Sequence, residues 1–445
     1  MILETALLSC DSSDIELFSG GKILDFEYAD DIVLSEDPAM FGLGWSNIKP
    51  FSFWRDCKPS SSKSKEGLLF VFFGTIGLDL ISKLSQTDVE EYTDWVYDHQ
   101  IRANKESTER CGFRGSSYLV GNVIGQKAVQ NSPYDSSHVT MVYNALCILL
   151  TLGDDLSRVD RASVLRGISA LQCADEPGLF RASLLSPERD MRFIYSAVAS
   201  CFILDGLNEL DQDAIISFID RSYTYEGGFS QLPGLEAHAG ATYCAVASLT
   251  LLDALSIVLP PNSRRRDRLI KWLVLLQRQG FHGRMHKPDD TCYTFWVCGS
   301  LRLLGCESLV NRSELLRFAS SAWDDVLGGI RKYPDPTYPA DPLHTYLCLS
   351  GLACLKTPDF SDPENALATR ALPVGDGRTS GGVPSSESGE AATEPECLQA
   401  LFTQVLCPIR PELNVGESTY MRLKMLHKEW RILSRESVVN ELATR

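Results

Sequence analysis

Two short segments about fifty residues apart contain the side chains best suited to chemistry. The first, DTCYTFW, supplies Asp290 and Cys292, and the second, DPLHTY, supplies His344. A carboxylate, a thiolate and an imidazole are all ligand types that zinc binds. A site with three protein ligands leaves one coordination position open, which is typical of catalytic rather than structural zinc. The two segments therefore predict a zinc centre that does chemistry.

A purely structural interpretation of the same residues remains open at this stage. Asp290 and Asp341 each stand just before an apolar helical stretch, where aspartate is a common N-cap. Cys292 could be an ordinary buried thiol, because the chain has 14 cysteines, and His344 could be a core histidine. Asp289 is an alternative carboxylate ligand, although the D-x-C spacing favours Asp290.

Composition narrows the class of protein. The 445 residues are 44% hydrophobic, with a formal net charge of -16 and a pI near 5.0. Such an acidic chain is poorly suited to general nucleic-acid binding, which depends on basic residues that neutralise phosphates. The cysteines include no C-x-x-C pair, residues 1–10 lack a signal peptide's basic start, and the apolar stretch 68–81 is too short to span a bilayer. We therefore expect a cytoplasmic protein with reduced thiols and no membrane insertion.

One kind of turn recurs along the chain. A glycine followed by a large apolar residue occurs at Gly178, Gly228, Gly280 and Gly329, at intervals of 50, 52 and 49 residues, and earlier at Gly112. Most of these turns precede a polar loop and a helix rich in small and apolar residues, and a second, amphipathic helix follows. Two helices per fifty residues predict an all-α fold, either a helical solenoid or a closed ring of helical hairpins.

Basic residues gather in the loops that lead into the predicted helices. His238, Arg284, Lys287 and Lys332 all stand near helix N-termini. Corresponding loops in a ring of repeats emerge at one end, so these side chains should converge. Positive helix ends and basic side chains together favour an anion such as a diphosphate. The alternative for Arg284 and Lys287 is a solvated surface cluster.

Several sequence blocks are characteristic of one family. They are CGFRGSSYL at 111–119, PYDSSH at 133–138, LGDDLSRV at 152–159, DMRF at 190–193, GLEAHAGATYC at 234–244, DTCYTFW at 290–296 and DPLHTYLCLSGL at 341–352. With these blocks the chain resembles the β subunits of protein prenyltransferases, and among them the type I geranylgeranyltransferases. The resemblance covers residues 67–356 and resumes at 411–430.

The resemblance implies a fold, a metal and a set of binding residues. The fold is an α/α barrel, or toroid, of repeated helical hairpins around an apolar funnel, with a separate α subunit outside it. The implied ligands of a single zinc ion are Asp290, Cys292 and His344. The positions that match diphosphate-binding groups are His238, Arg284, Lys287, Tyr293 and Arg192. The positions that match the pocket for the last peptide residue are His138, Thr140 and Phe193.

The implied activity is transfer of a geranylgeranyl group from geranylgeranyl diphosphate to the cysteine of a C-terminal CaaX motif, often with leucine last. Implied protein substrates are small GTPases of the Rho, Rac and Rap types. Lys332 stands where farnesyltransferases have an aspartate that acts with magnesium, so catalysis without magnesium is expected, with Lys332 and Tyr293 stabilising the leaving diphosphate. Leu69, near the end of the implied isoprenoid tunnel, is smaller than the tryptophan of farnesyltransferases, which favours a C20 donor.

Three other interpretations compete with this one. The chain could be the β subunit of a Rab-directed type II geranylgeranyltransferase or of a farnesyltransferase, or it could be an inactive helical-repeat scaffold. The presence of all three candidate zinc ligands opposes the scaffold. Lys332, together with the CGFRGSSYL and PYDSSH blocks, favours type I.

Three segments flank or interrupt the predicted barrel of residues 67–356. Residues 1–66 do not resemble the family, and residues 20–39 within them resemble a fragment of a retrotransposon reverse transcriptase. Residues 357–397 are rich in Pro, Ser, Gly and Glu, and this composition predicts a disordered insert. Residues 398–445 are predicted to form a C-terminal helical segment that packs on the barrel.

Overall fold

The helices and strands were assigned in a computed structural model that describes residues 67–82, 84, 89–103, 108–115, 136–324, 328–356 and 406–443. The N-terminal segment 1–66, with its reverse-transcriptase-like stretch, lies outside the described residues. The predicted insert, 357–397, lies outside them as well. The reverse-transcriptase resemblance of the first segment and the disorder of the second therefore stay predictions from the sequence.

The described residues are almost entirely helical. In chain order the elements are α1 Leu68–Leu80, α2 Val89–Asp98, β1 Gln100–Ile101, β2 Gly112–Phe113, α3 Val139–Leu152, α4 Arg161–Ser169, α5 Met191–Ile203, α6 Gln212–Arg221, α7 Ala239–Leu251, α8 Leu255–Val258, α9 Arg264–Leu275, α10 Tyr293–Leu303, α11 Arg312–Ser321, α12 Pro342–Lys356, β3 Ile409–Arg410, β4 Val415–Gly416 and α13 Glu417–Ala443. Short 3-10 turns occur at Leu207–Glu209 and Glu307–Leu309. The all-α prediction is confirmed.

Six of the described helices form a closed inner ring. Helices α1, α3, α5, α7, α10 and α12 pack side by side in that order, and α12 packs against α1. These helices are apolar on nearly all sides, and every residue of α3 is buried. A helix with this composition requires neighbours all round, which a ring between outer helices and an apolar interior provides. The closed ring, rather than the open solenoid, is the observed architecture.

The outer helices bury only one face. In α6 the buried residues are Ile215, Phe218 and Ile219, at the three- and four-residue spacing of an amphipathic helix. Helices α9 and α11 repeat the pattern one and two repeats later, with Leu269, Trp272, Leu273 and Leu315, Phe318, Ala319. None of the described helices has the length and hydropathy needed to cross a membrane.

Each recurring glycine turn joins an outer helix to the next inner helix. Antiparallel bridges close these turns at Gln172–Phe180, Tyr223–Phe229, Gln277–Phe281 and Trp323–Ile330. Glycine is needed because the next outer helix lies against the turn. A Cβ on Gly178 would lie 2.1 Å from the Ala214 carbonyl oxygen, and one on Gly280 would lie 2.3 Å from the Phe318 ring. The fifty-residue period in the sequence therefore corresponds to one hairpin of the ring.

Backbone hydrogen bonds connect successive repeats at the N-terminal ends of the inner helices. The donor is the N–H of the first residue of an inner helix or, for α10, the N–H two residues before it, and the acceptor is a carbonyl in the loop after the glycine turn of the following repeat. The pairs are Leu68 to Gly115, Val139 to Ala182, Met191 to Gln231, Ala239 to Gly283 and Thr291 to Lys332, at 2.8–3.2 Å. These bonds hold the loops of all five repeats at one end of the ring. We call this end the mouth.

The C-terminal segment packs across the opposite end. The N–H of Cys407 donates to the carbonyl of Leu80 at the end of α1, and His427 contacts the carbonyl of Ile203 at the end of α5. The turn at residues 411–414, between β3 and β4, reaches the ring axis. There it accepts hydrogen bonds from one tyrosine hydroxyl of each of four inner helices, namely Tyr143, Tyr195, Tyr243 and Tyr346, at 2.7–3.3 Å.

Removing one of these hydroxyls should destabilise the fold. In Tyr243→Phe the carbonyl of Pro411, which accepts at 2.7 Å, would lose its donor inside the protein. A buried acceptor without a partner costs about 1–3 kcal/mol, so we expect a lower thermal unfolding midpoint. The matched control is Tyr225→Phe, because Tyr225 is 85% exposed. Equal midpoints for the two variants would show that the hydroxyl contributes nothing to anchoring the turn.

Candidate active site

Five polar residues occupy the same place in successive repeats, just before an inner helix at the mouth. Each accepts a hydrogen bond from a backbone N–H two or three residues later in the chain, and they are His138, Asp190, His238, Asp290 and Asp341. Such caps satisfy donors that a helix start leaves unpaired. The capping interpretation is therefore correct for Asp341, which stands directly before α12, whereas Asp290 bonds the N–H of Cys292 in the turn before α10, and Cys292 is the N-cap residue of that helix. Neither hydrogen bond excludes metal binding, because a carboxylate has about four lone-pair sites.

Three of the candidate ligands form a compact cluster. Asp290, Cys292 and His344 each present a ligand atom, and these atoms all lie within 4.8 Å of one another. The Asp290 Oδ1 atom is 3.4 Å from His344 Nε2. Two buried residues and one half-buried residue thus place a carboxylate oxygen, a sulfur and an imidazole nitrogen around one point. Among the described residues this is the one such group.

A second carboxylate orients the histidine. Asp341 Oδ2 lies 2.5 Å from His344 Nδ1, so Nδ1 is engaged and Nε2 is directed toward Asp290. Burial opposes a charge on His344, but Asp341 and Asp290 outweigh it and raise its pKa well above the ordinary value. Carboxylates that attract a proton this strongly would also attract a cation. A carboxylate on the far nitrogen is the usual support for a metal-binding histidine.

The cysteine is not activated as a free nucleophile. Burial, followed by the charge of Asp290, raises the pKa of Cys292 to about 12, so without a cation it holds its proton. Asp290 is buried, which disfavours its charge, yet interaction with His344 lowers its pKa overall. One thiol, one carboxylate and one imidazole nitrogen match the donor types of a catalytic zinc site.

Asp289 is not part of the cluster. Its Oδ2 atom accepts hydrogen bonds from the N–H groups of Gln279 and Gly280, and its Oδ1 atom lies 3.2 Å from His282 Nδ1. Both oxygens are therefore committed to the glycine turn. The geometry selects Asp290 over Asp289, as the D-x-C spacing favoured.

A second pair of side chains includes Tyr293, the residue after Cys292. The Tyr293 hydroxyl is 3.2 Å from His238 Nε2. The His238 Nδ1 atom accepts from the N–H groups of Gly240 and Ala241, so in the neutral ring the proton is on Nε2. Burial and the nearby charge of Arg284 lower the pKa of His238 to about 3, which keeps the ring neutral. His238 therefore donates to the Tyr293 oxygen, and the phenolic proton can be directed to a third group.

The predicted basic residues occupy the same mouth. Arg284 forms an ion pair with Glu236, and its carbonyl accepts from the Lys287 N–H at 3.3 Å. Arg192 pairs with Asp190 at 2.6 Å. Lys332 is only 7% exposed, and its carbonyl accepts from the Thr291 N–H next to Asp290. Arg284 is half-buried and close enough to His238 for its charge to lower the pKa of that ring, which opposes the solvated-cluster alternative for Arg284, and Lys287 is also half-buried.

The three residues predicted for the peptide pocket are neighbours. The rings of His138 and Phe193 meet edge-to-face with centroids 5.9 Å apart. Thr140 donates its N–H to His138 Nδ1 and contacts Ser196 through its hydroxyl. Burial, with a smaller contribution from Arg192, lowers the pKa of His138 to about 3. Its Nε2 atom is buried and has no hydrogen-bond partner in the described part of the chain. Because Nδ1 accepts a hydrogen bond, Nε2 carries the proton of the neutral ring, and a buried donor without a partner is suited to binding a ligand.

An aromatic wall of packed rings lies inside the ring of helices. The Tyr243 ring meets Phe295 and Trp296, with centroids 4.8 and 5.2 Å apart. Leu69, on α1, is 2% exposed.

The sequence-based reasoning missed two features of the site. One is the contact of Asp341 with His344. The two residues are three positions apart, which is one helical turn, and this spacing could have indicated the contact. The other is the set of axial tyrosines, each five residues after a capping residue.

Comparisons with known proteins identify the family. The prenyltransferase alpha-alpha toroid domain matches residues 53–415. The geranylgeranyl transferase type-1 subunit beta of Dictyostelium discoideum is 35% identical over 66% of this chain and 85% of that protein. The subunit of the same name from Arabidopsis thaliana is 32% identical over 69% of this chain and 83% of that protein. The chain belongs to the prenyltransferase alpha-alpha toroid family.

More distant relatives and one solved structure agree with this assignment. The geranylgeranyl transferase type-2 subunit beta of Candida albicans is 27% identical over 62% of this chain and 75% of that protein. The structure of Candida albicans protein geranylgeranyltransferase-I complexed with GGPP has a TM-score of 0.63 to this chain at 22% identity. It covers 84% of this chain and 96% of its own. At that identity the likeness establishes the fold.

Proposed function

We propose that this chain is the β subunit of a type I protein geranylgeranyltransferase, which acts with a prenyltransferase α subunit. The observation that carries the proposal is the cluster of Asp290, Cys292 and His344 at the mouth of the toroid, with the next residue after Cys292, Tyr293, in contact with His238. The identity to type-1 β subunits, over 83–85% of their lengths, supports it. The catalytic barrel would be residues 67–356, with residues 398–445 packed on it.

The cluster would hold zinc. Asp290, Cys292 and His344 would be its ligands, and Asp341 would orient His344. Zinc bound there would lower the pKa of a substrate thiol enough for a cysteine to react as thiolate at neutral pH. The raised pKa of Cys292 is consistent with this role, because the thiol would lose its proton only when a cation binds.

Replacing Asp341 by asparagine should weaken zinc binding without unfolding α12. Asparagine keeps an oxygen that can accept from the His344 N–H, as Asp341 does at 2.9 Å, but it removes the charge facing Nδ1. Loss of such an outer partner typically costs 10–100-fold in metal affinity. Chelator competition on the purified heterodimer measures it. The control is Asp335→Asn, in an exposed turn. Equal zinc affinities for the two variants would contradict the role of Asp341.

The transfer step needs one bond made and one broken. The substrate sulfur bonds to the first carbon of the isoprenoid as the carbon–oxygen bond to the diphosphate breaks. The diphosphate leaves with the bonding electron pair, and the thiol proton goes to solvent. Tyr293 would donate a hydrogen bond from its phenolic O–H to the leaving oxygens and keep its proton, since its own oxygen accepts from His238. Donors that are in place before charge develops lower the barrier.

The basic residues of the mouth would stabilise the negative charge on the leaving diphosphate. Arg284, Lys287, Lys332 and Arg192 would bind the diphosphate with His238 and Tyr293. Lys332 is buried, so its charge acts at low dielectric and is worth more than in water. This fixed ammonium would replace the magnesium that a carboxylate at the same position would need. We therefore propose turnover without magnesium.

Two further surfaces would bind the organic parts of the substrates. His138, Thr140 and Phe193 would contact the last residue of the peptide, and the buried His138 Nε2 atom supports a polar contact there. The wall of Tyr243, Phe295 and Trp296 would line the isoprenoid. Small GTPases of the Rho, Rac and Rap types, with leucine at the end of the CaaX motif, would be the protein substrates.

Transfer assays on the heterodimer test the proposal. The chain would be co-expressed with an α subunit, and C15 and C20 diphosphates would each be offered with peptides ending in leucine or methionine. We expect preferential C20 transfer to the leucine peptide. Preferential C15 transfer to the methionine peptide would instead indicate a farnesyltransferase. Transfer only to a Rab protein with its escort protein would indicate type II, and no transfer by a zinc-loaded heterodimer would indicate a scaffold.

A further inference from the structure

Gly283 lies directly beneath the ring of Tyr293. A Cβ placed on Gly283 would be 2.1 Å from Tyr293 Cζ, 2.3 Å from its hydroxyl oxygen and 2.4 Å from Cε1. Real Cβ atoms do not approach other atoms this closely. All three contacts involve the far end of the tyrosine side chain. A methyl group at residue 283 would therefore displace the ring end that carries the hydroxyl.

The backbone at Gly283 cannot easily move away. Its carbonyl accepts the Ala239 N–H at 2.8 Å, in the series of bonds that links successive repeats. Gly283 also lies between His282, which is held by Asp289, and Arg284, which is paired with Glu236. Its φ angle is outside the left-handed region, so alanine can adopt this backbone conformation without strain. The requirement for glycine therefore comes from Tyr293 and not from the turn.

The equivalent position carries a side chain in three of the four other repeats. The residues whose carbonyls occupy the corresponding place are Gly115, Ala182, Gln231 and Lys332. The fold of the repeat therefore accepts a side chain at the position equivalent to residue 283, including side chains as long as glutamine or lysine. At Gly115 a Cβ would meet only the Met141 side chain, at 3.4 Å, which is ordinary van der Waals contact. Gly115→Ala is consequently a matched control for Gly283→Ala.

We infer that Gly283 is a positioning residue for the Tyr293 hydroxyl, because it provides the space in which the ring lies while the hydroxyl contacts His238. This inference rests on the proposed function, in which that hydroxyl faces the departing diphosphate. Gly283 itself touches no reacting atom. Its effect on turnover would be transmitted entirely through the ring of Tyr293.

Kinetics of the heterodimer with C20 donor and a peptide ending in leucine test the inference. Removing one preorganised donor lowers kcat on the order of 100-fold, so we expect Gly283→Ala to lower kcat by about that factor, with the peptide KM little changed. Gly115→Ala should retain kcat within about twofold. In a Tyr293→Ala background the ring is gone, and Gly283→Ala should cause no further loss. Equal losses from Gly283→Ala in both backgrounds would overturn the inference, as would no loss in the parent enzyme.

A crystal structure of the Gly283→Ala heterodimer separates this inference from the proposed function. We expect the Tyr293 oxygen to move beyond hydrogen-bond distance from His238 Nε2, compared with 3.2 Å in the parent chain. An unmoved hydroxyl would overturn the positioning role. If the parent heterodimer transferred no prenyl group, the proposed function would fail. The displacement of Tyr293 would still decide whether Gly283 positions it.

Discussion

Cys292→Ser should bind far less zinc than the parent heterodimer and should have a kcat about 1000-fold lower, which corresponds to about 4 kcal/mol of barrier. A serine hydroxyl does not lose its proton to a cation at neutral pH as a thiol does, so the cluster would keep only Asp290 and His344 as anchors. Zinc content by elemental analysis and single-turnover transfer rates measure the two effects separately.

The control for this variant is a second half-buried cysteine. Cys306 follows α10, and its sulfur is 3.5 Å from the Leu304 carbonyl, a contact that serine can retain. Cys306→Ser should keep both zinc and activity. If Cys292→Ser retained one zinc per heterodimer and a kcat near the parent value, Cys292 would be an ordinary buried thiol.

Lys332→Ala should lower kcat about 100-fold while changing the peptide KM little. The ammonium group would interact mainly with charge that develops on the departing diphosphate, and interactions of that kind act on turnover rather than on ground-state binding. The loop itself should persist, because it is held through the Lys332 carbonyl by Thr291 and not through the side chain alone. Steady-state kinetics with varied peptide and saturating C20 donor measure both constants.

Magnesium provides the second test of Lys332. The parent enzyme should turn over equally fast in magnesium-free buffer and in millimolar magnesium, provided that zinc is retained. Lys271→Ala, at an exposed position of α9, is the control for loss of a lysine charge and should retain the parent kcat. A parent enzyme that required magnesium, or a Lys332→Ala variant with the kcat of the control, would contradict the role assigned to this ammonium.

Much of the fold could be predicted because its signals are local. The glycine turns repeat about every fifty residues, and each marks a hairpin of the ring. The spacing of Ile215, Phe218 and Ile219 is sufficient to identify a helix with one buried face. The first and last residues of the helices were harder to predict from the sequence. Helix α13, for example, extends from Glu417 to Ala443.

The candidate site was only partly predictable. Residue types and the D-x-C spacing were enough to propose Asp290 and Cys292, since both lie on one short segment. Asp289 could not be excluded until the turn showed both its oxygens engaged by backbone N–H groups and His282. The space that Gly283 leaves for Tyr293 depends on how a loop and a helix start pack, and no local pattern records it.

The sequence by itself determined a repeated pair of helices and the donor types of one cluster, because these follow from local spacing and side-chain chemistry. Only the tertiary structure decided that the ring closes through α12 and α1 and that His344 lies 3.4 Å from Asp290. Those contacts join residues fifty or more positions apart. Their distances depend on how far each repeat rotates against the next, which is set by packing along the whole ring.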